Sequence, residues 1–152
     1  MPVNDRLVAI YPGSRRVGVA CWLTQDGKVA HVAAGSLARE VLEPYLRRFA
    51  TDTLFVEAKR EGGVPVPEVK AFARRALLFA HPGWRDVSLS VLAGLPKRLG
   101  ALAQNAYRIG FNEIVRRGVS VIGDDVTASP LTWEWVVQHS PPPLHNATDR
   151  GY

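Results

Sequence analysis

Cysteine, long apolar runs and acidic residues are all scarce in this chain of 152 residues. The one cysteine, Cys21, excludes an internal disulfide framework and a cysteine-rich zinc site. The longest apolar runs, such as residues 76–80, are far shorter than the ~20 residues that a membrane-spanning helix needs. The N-terminus lacks the charged-then-apolar layout of a signal peptide. These absences predict one soluble, cytoplasmic domain over residues 1–152 with no membrane partner.

The shortage of acids leaves the chain basic. Lysine and arginine total 19 against 14 aspartates and glutamates, so the net charge is +5 and the isoelectric point is near 9.8. A basic surface attracts polyanions and speeds encounter with nucleic acid. Many of the basic residues are adjacent in sequence: Arg15-Arg16, Arg47-Arg48, Lys59-Arg60, Arg74-Arg75, Lys97-Arg98 and Arg116-Arg117. This pattern favours a nucleic-acid partner.

Apolar residues make up 47% of the chain, enough for a sizeable core, and their spacing predicts the secondary structure. Five short runs predict strands, at residues 7–11, 17–23, 29–34, 53–57 and 119–122. An Asp-Gly turn at residues 26–27 joins the second and third strands, and Cys21 falls inside the second as an inert core thiol. Helical spacing covers residues 36–50, 68–81 and 88–117, and a short helix begins near residue 133. This order predicts an α/β fold in which helices flank a mixed five-stranded sheet.

Four stretches of the chain form a recognisable series. The first runs from Ile10 through Tyr11-Pro12-Gly13-Ser14 and two arginines to Gly18-Val19-Ala20. The others are Phe55-Val56-Glu57, residues 102–110 and His145-Asn146-Ala147-Thr148-Asp149. Together they resemble the RuvC-like Holliday junction resolvases of the RNase H-like superfamily, and they are also similar to the related YqgF group. The resemblance extends over nearly the whole chain and implies an RNase H-like fold.

The resemblance also implies where a nuclease centre would lie. In these families four acids at the ends of adjacent strands and on a C-terminal helix hold Mg²⁺ or Mn²⁺ for phosphodiester hydrolysis. The matching positions here are Tyr11, Glu57, Asn146 and Asp149. Glu57 and Asp149 are therefore the candidate catalytic and metal-binding residues. The neutral side chains of Tyr11 and Asn146 are poor substitutes for carboxylates.

Three explanations of these two substitutions are open. The chain is a natural relative that binds nucleic acid without cutting it, or its metal site is rebuilt with Glu61, Asp124 or Asp125, or the substitutions were introduced to block cleavage. The sequence therefore leaves open whether the chain is an enzyme, with Mg²⁺ or Mn²⁺ as its cofactor if it is active.

The resemblance to resolvases implies a homodimer that binds a four-way DNA junction, with residues 88–117 as the place for the dimer contact. The similarity to the YqgF group keeps RNA open as a substrate. The alternative is a non-catalytic module on the same scaffold that binds nucleic acid or a protein partner. In each nucleic-acid case the expected phosphate contacts are Arg15, Arg16, Lys59, Arg60, Lys97, Arg98 and Arg108.

Overall fold

A computed structural model of the chain describes residues 5–13, 15–57, 71–87, 99–118 and 128–141. In these ranges the chain forms a mixed six-stranded sheet flanked by helices, which confirms the α/β class. The strands are β1 (Asp5–Pro12), β2 (Arg16–Gln25), β3 (Lys28–Ala38), β4 (Thr53–Val56), β5 (Ala76–Phe79) and β6 (Ser129–Pro130). Their order across the sheet is β5-β4-β1-β2-β3-β6.

The first three strands, each predicted from the sequence, form an antiparallel meander. β1 and β2 lie in the middle of the sheet and are buried on both faces, as their uninterrupted apolar sequences require. The turn between β2 and β3 places Asp26 at φ 55° and Gly27 at φ 78°, the left-handed pair that a tight hairpin needs. Cys21 is 1% exposed, and its burial raises the pKa of the thiol, in agreement with an inert core residue.

Helices cover both faces of the sheet. The helix α1 (Leu42–Phe49) and the short helix α3 (Trp133–Gln138) pack on one face, and the longer helix α2 (Ala101–Arg116) packs on the other. The described ranges also contain two short 3₁₀ segments. Arg39–Val41 directly precedes α1, and Pro82–Asp86 follows β5. No helix in the described ranges is long and apolar enough to span a membrane.

β4 pairs with β1 on the side away from β2, and the two strands are parallel. After β1 the chain runs through β2, β3 and α1, and it then returns to the side of β1 that β2 leaves free, where β4 begins. β4 is buried along its whole length and pairs in turn with β5, again in parallel. The ends of β1, β4 and β5 therefore lie at one edge of the sheet, here called the carboxyl edge.

Three sequence predictions are wrong in detail. The sheet has six strands in the described ranges rather than five. Residues 76–79 form β5, although helical spacing predicted a helix over residues 68–81, because an apolar run this short suits either structure and pairing with β4 decides it. β3 continues to Ala38, so the helix predicted from residue 36 begins only at Leu42. The predicted strand at residues 119–122 lies outside the described residues.

Candidate functional site

The candidate site is built by the ends of β1 and β4. The backbone N–H of Glu57 donates to the carbonyl of Ile10 at 3.1 Å, which extends the parallel pairing by one step beyond Val56. Tyr11 and Glu57, each the next residue after that pairing, are thereby placed on neighbouring strands. The sequence predicted this adjacency for the two family positions.

Glu57 is a buried carboxylate whose two oxygens both have partners. Its side chain is 6% exposed. Oε1 accepts a hydrogen bond from Nη2 of Arg85 at 2.6 Å, and Oε2 accepts one from the indole Nε1 of Trp84. A buried carboxylate needs such donors because burial removes its hydration. The acid at the end of β4 therefore serves as an anchor for the segment that follows β5.

Trp84 is the centre of this cluster. It lies in the 3₁₀ segment Pro82–Asp86, which a hydrogen bond from the Gly83 N–H to Nδ1 of His81 helps to form. Its ring is buried, and the ring of Tyr11 meets it edge-on at 5.7 Å between centroids. The indole thus fills the space between the two strand ends and the turn.

Two arginines flank the same tryptophan. The guanidinium carbons of Arg85 and Arg108 each lie 5.3 Å from the centre of the Trp84 ring, within the range of cation–π attraction. Arg108, on α2, donates to the carbonyls of Arg85 and Val87 and to Oδ1 of Asn105. The sequence predicted Arg108 as a phosphate contact. In the structure Arg108 lies at the site, and its described hydrogen bonds fasten the Arg85 segment to α2.

Arg15 and Arg16, two of the predicted phosphate contacts, lie at the turn between β1 and β2, at the carboxyl edge. Both are exposed. Arg16 donates from Nε to Oγ of Ser36 at 3.1 Å and from Nη2 to the carbonyl of Ser36 at 2.7 Å, so β3 holds its guanidinium in place. These arginines and Arg85 give the carboxyl edge an exposed positive charge.

A mostly apolar cavity of about 470 Å³ lies between β3 and the start of α2. It is bounded by β3, by the residues before and within the first turn of α2, and by the segment from Pro130 to Leu131. Ser36, which anchors Arg16, is one of the lining residues. Ser36 is therefore the residue that links the cavity to the Arg16 guanidinium.

The described residues do not fit a divalent-metal site. Glu57 spends both oxygens on Arg85 and Trp84, and Tyr11 supplies a phenol where a bridging carboxylate is needed. Within the described ranges no three histidine, cysteine, aspartate or glutamate side chains are grouped so that they could hold a metal ion. Several predicted residues lie outside the described part of the chain: Lys59, Arg60, Glu61, Lys97, Arg98, Asp124, Asp125, Asn146 and Asp149.

Sequence reasoning missed Trp84 and Arg85. It predicted a helix over residues 68–81 and assigned no role to the residues that follow. Trp84 and Arg85 meet Glu57 across 27 and 28 positions of sequence. The available signal was the apolar run at residues 76–79. If that run is assigned as a strand parallel to β4, the Trp-Arg pair after it falls at the carboxyl edge.

A comparison with protein-family models and with curated proteins found no match for this chain. Its function is therefore inferred from the motifs and from the geometry of the carboxyl edge.

Proposed function

We propose that this chain is a RuvC-type module on an RNase H-like scaffold that binds branched DNA without cutting it. One observation carries the proposal. At the strand ends where the resemblance places two metal-binding acids, position 11 is a tyrosine, and the Glu57 carboxylate is bonded to Trp84 and Arg85. A mixed sheet and a basic edge are present, whereas both oxygens of the described carboxylate at the ends of β1 and β4 already accept hydrogen bonds.

The sheet topology supports the choice of scaffold. An RNase H-like centre requires the ends of the first and fourth strands to be neighbours, and β1 and β4 are paired in parallel inside the sheet. The antiparallel meander of β1, β2 and β3 precedes β4 in the chain, as the motif series implies.

The charge of the carboxyl edge supports binding to nucleic acid. Arg15, Arg16 and Arg85 are exposed there, and the whole chain carries a net charge of +5. Arginine contacts to phosphate fix the position of a duplex without reading its bases, which suits a protein that recognises the shape of a junction. Such contacts also weaken steeply as salt rises. Lys59, Arg60, Lys97 and Arg98 extend this set in the sequence.

The test is a gel-shift and cleavage assay on a fluorescent four-way DNA junction, with a linear duplex of the same sequence as the control. We expect tighter binding to the junction and intact strands on a denaturing gel, first in Mg²⁺ and then in Mn²⁺. Cleavage that Glu57→Ala abolishes would show an active, rebuilt site and overturn the non-cutting assignment. Equal binding to the duplex would overturn the junction assignment, and tighter binding to a structured RNA would favour the RNA alternative.

A matched pair of variants locates the interface. Arg15→Ala removes an exposed charge at the carboxyl edge and should weaken junction binding several-fold at low salt. Arg47→Ala removes the same charge from α1, where the side chain is exposed and pairs with Glu43 at 2.7 Å. This control should bind like the parent chain. If the two variants weaken binding equally, the carboxyl edge is not the interface.

The proposal includes a homodimer, as expected for a module that binds a symmetric junction. The described part of α2 packs most of its apolar side chains against its own sheet, and Val115, 52% exposed, is the exception among its large apolar residues. Sedimentation equilibrium of the free chain tests the expectation, which a monomer at all concentrations would contradict.

A further inference from the structure

The ion pair between Glu57 and Arg85 is unequal in its exposure. The Glu57 side chain is 6% exposed, whereas that of Arg85 is 57% exposed, and 2.6 Å separates Oε1 from Nη2. The carboxylate is thus buried under the guanidinium, and water and solutes reach the pair from the arginine side. A probe that approaches the ends of β1 and β4 meets a positive charge at the place where the family pattern would present acids.

The Arg85 guanidinium is held in one orientation. One bond to Glu57 fixes Nη2, and the ring of Trp84 lies 5.3 Å beneath the guanidinium carbon. Trp84 is itself fixed by its bond to Glu57 and by the edge contact with Tyr11. From α2, Nη2 of Arg108 donates a hydrogen bond to the backbone carbonyl of Arg85. These contacts favour one orientation of the side chain, so a ligand that binds Arg85 loses less conformational entropy than it would on an unrestrained arginine.

An arginine in this position has the same kind of electrostatic effect as a bound metal cation would have. It neutralises the buried carboxylate and keeps a positive charge toward solvent. Its guanidinium is always protonated and offers five N–H donors in a planar fork that matches phosphate oxygens. Among the described residues, Glu57 is the one side-chain acceptor of Arg85, and it takes a single Nη2 hydrogen. The exposed acid next in sequence, Asp86, offsets part of the charge but has no described bond to the guanidinium.

We propose that Arg85 takes the place of a metal ion at this site and binds a backbone phosphate of the nucleic acid, with Glu57 and Trp84 as its positioning residues. The inference rests on the proposed function, because a phosphodiester backbone is the ligand in both. It goes further by reversing the role of Glu57. The acid does not coordinate a metal; it holds the arginine that contacts the phosphate.

The first test measures junction affinity against salt for the parent chain, Arg85→Ala, Arg85→Lys and the control Arg47→Ala. We expect Arg85→Ala to weaken binding about tenfold at low salt, as one lost charge-assisted hydrogen bond predicts. The slope of log Kd against log salt should fall by about one, the value for one phosphate contact. Arg85→Lys should restore the slope but not the full affinity, since it keeps the charge and loses the planar fork.

The two proposals fail differently in this assay. If the parent chain does not bind nucleic acid, the proposed function fails and the Arg85 contact with it. If the parent binds and Arg85→Ala binds equally well with the same salt slope, the proposed function stands and the inference about Arg85 is overturned. Thermal unfolding followed by circular dichroism shows whether each variant is folded. If Arg85→Ala is not folded, the affinity and salt slope of Arg85→Lys decide between the two outcomes.

Glu57→Gln tests the positioning role. If Glu57 only repelled phosphate, removing its charge would tighten binding. Because it holds Arg85, we expect weaker binding and the loss of the slowly exchanging Arg85 guanidinium signals in ¹⁵N NMR spectra. Tighter binding with unchanged arginine signals would overturn the role of Glu57.

Mn²⁺ provides an independent test on the parent chain. The paramagnetic ion broadens the NMR signal of the Trp84 indole N–H if it binds at Glu57. We expect no selective broadening in the parent and clear broadening in the double variant Tyr11→Asp with Arg85→Ala, which removes the arginine and supplies a second carboxylate. Selective broadening of Trp84 in the parent chain would show that a metal binds beside Arg85, and it would overturn the proposal.

Discussion

Gly18 sets how closely α2 approaches the sheet. It lies in β2 opposite Tyr11, and the first turn of α2 passes directly over it. A Cβ atom at this position would lie 2.0 Å from the carbonyl oxygen of Leu102. Because that oxygen belongs to the helix backbone, no side-chain rotation relieves the contact. The helix would have to move off the sheet, and it would take Arg108 away from Trp84.

We therefore expect Gly18→Ala to lower the free energy of unfolding by about 2 kcal/mol or more. Urea unfolding followed by tryptophan fluorescence measures the loss. The control is Gly100→Ala, at φ −69° with no atom within 4 Å of the added Cβ, which should cost less than about 1 kcal/mol. Equal losses in the two variants would show that the contact between Gly18 and Leu102 is not tight in solution.

At the level of single residues, the site could be predicted only in part. The neighbouring positions of Tyr11 and Glu57 were predicted correctly, because the resemblance assigns them to the ends of two apolar runs, at residues 7–11 and 53–57, and the ends of parallel neighbours meet at one edge. Arg85 and Trp84 could not be placed in the same way. Their contacts with Glu57 depend on β5 joining the sheet, which no local pattern in the sequence specifies.

Among the elements, α3 depends most on its surroundings. Its six residues are too few for a helix that is stable alone, and its stability comes from Trp135 and Val136, which are buried against α1 and the sheet. The ring of Trp135 lies 5.7 Å from that of Phe49. Thr132 starts the helix, since its hydroxyl accepts a hydrogen bond from the N–H of Trp135 at 3.1 Å.

Thr132→Ala removes this cap and should lower the free energy of unfolding by about 1 kcal/mol. Thr132→Ser keeps a hydroxyl at the same position and should retain most of the stability. Both can be compared by urea unfolding. An alanine variant as stable as the serine variant would show that packing of Trp135 alone fixes the start of α3.

β5 shows why element prediction failed where it did. The run Ala-Leu-Leu-Phe has neither strand alternation nor enough length to separate a strand from a helix. In the structure it pairs with β4 from Thr53–Ala76 to Val56–Phe79, and Leu78 and Phe79 remain partly exposed. The β1–β3 meander was predictable because its runs are longer and a clear turn joins two of them. Pairing decided β5, and pairing is a property of the whole sheet.

For the whole molecule, His31 and His139 connect the sheet to the end of α3. Their rings lie 4.5 Å apart, and Nδ1 of His139 lies 2.7 Å from the carbonyl of Trp135. Partial desolvation lowers the pKa of the exposed His31 side chain, and the nearby His139 lowers it further. Arg6 adds another positive group, since its guanidinium donates to the carbonyl of His139. Protonation of His31 adds a positive charge to this junction between β3 and α3.

The pH dependence of stability follows from this pKa. The unfolded chain has the ordinary histidine pKa near 6.5, so it binds more protons than the folded chain as the pH falls past that value. The contribution of neutral His31 is therefore complete above about pH 6.5 and is lost as the pH falls toward the lower pKa of the folded state. We expect the midpoint urea concentration to decrease as the pH is lowered from about 7.5 to about 5, and to decrease less steeply in His31→Asn. If the midpoint decreases equally steeply with pH in the two proteins, His31 does not cause the pH dependence. NMR titration of the His31 ring checks the cause directly, because its pKa in the folded chain must lie below that of the unfolded chain.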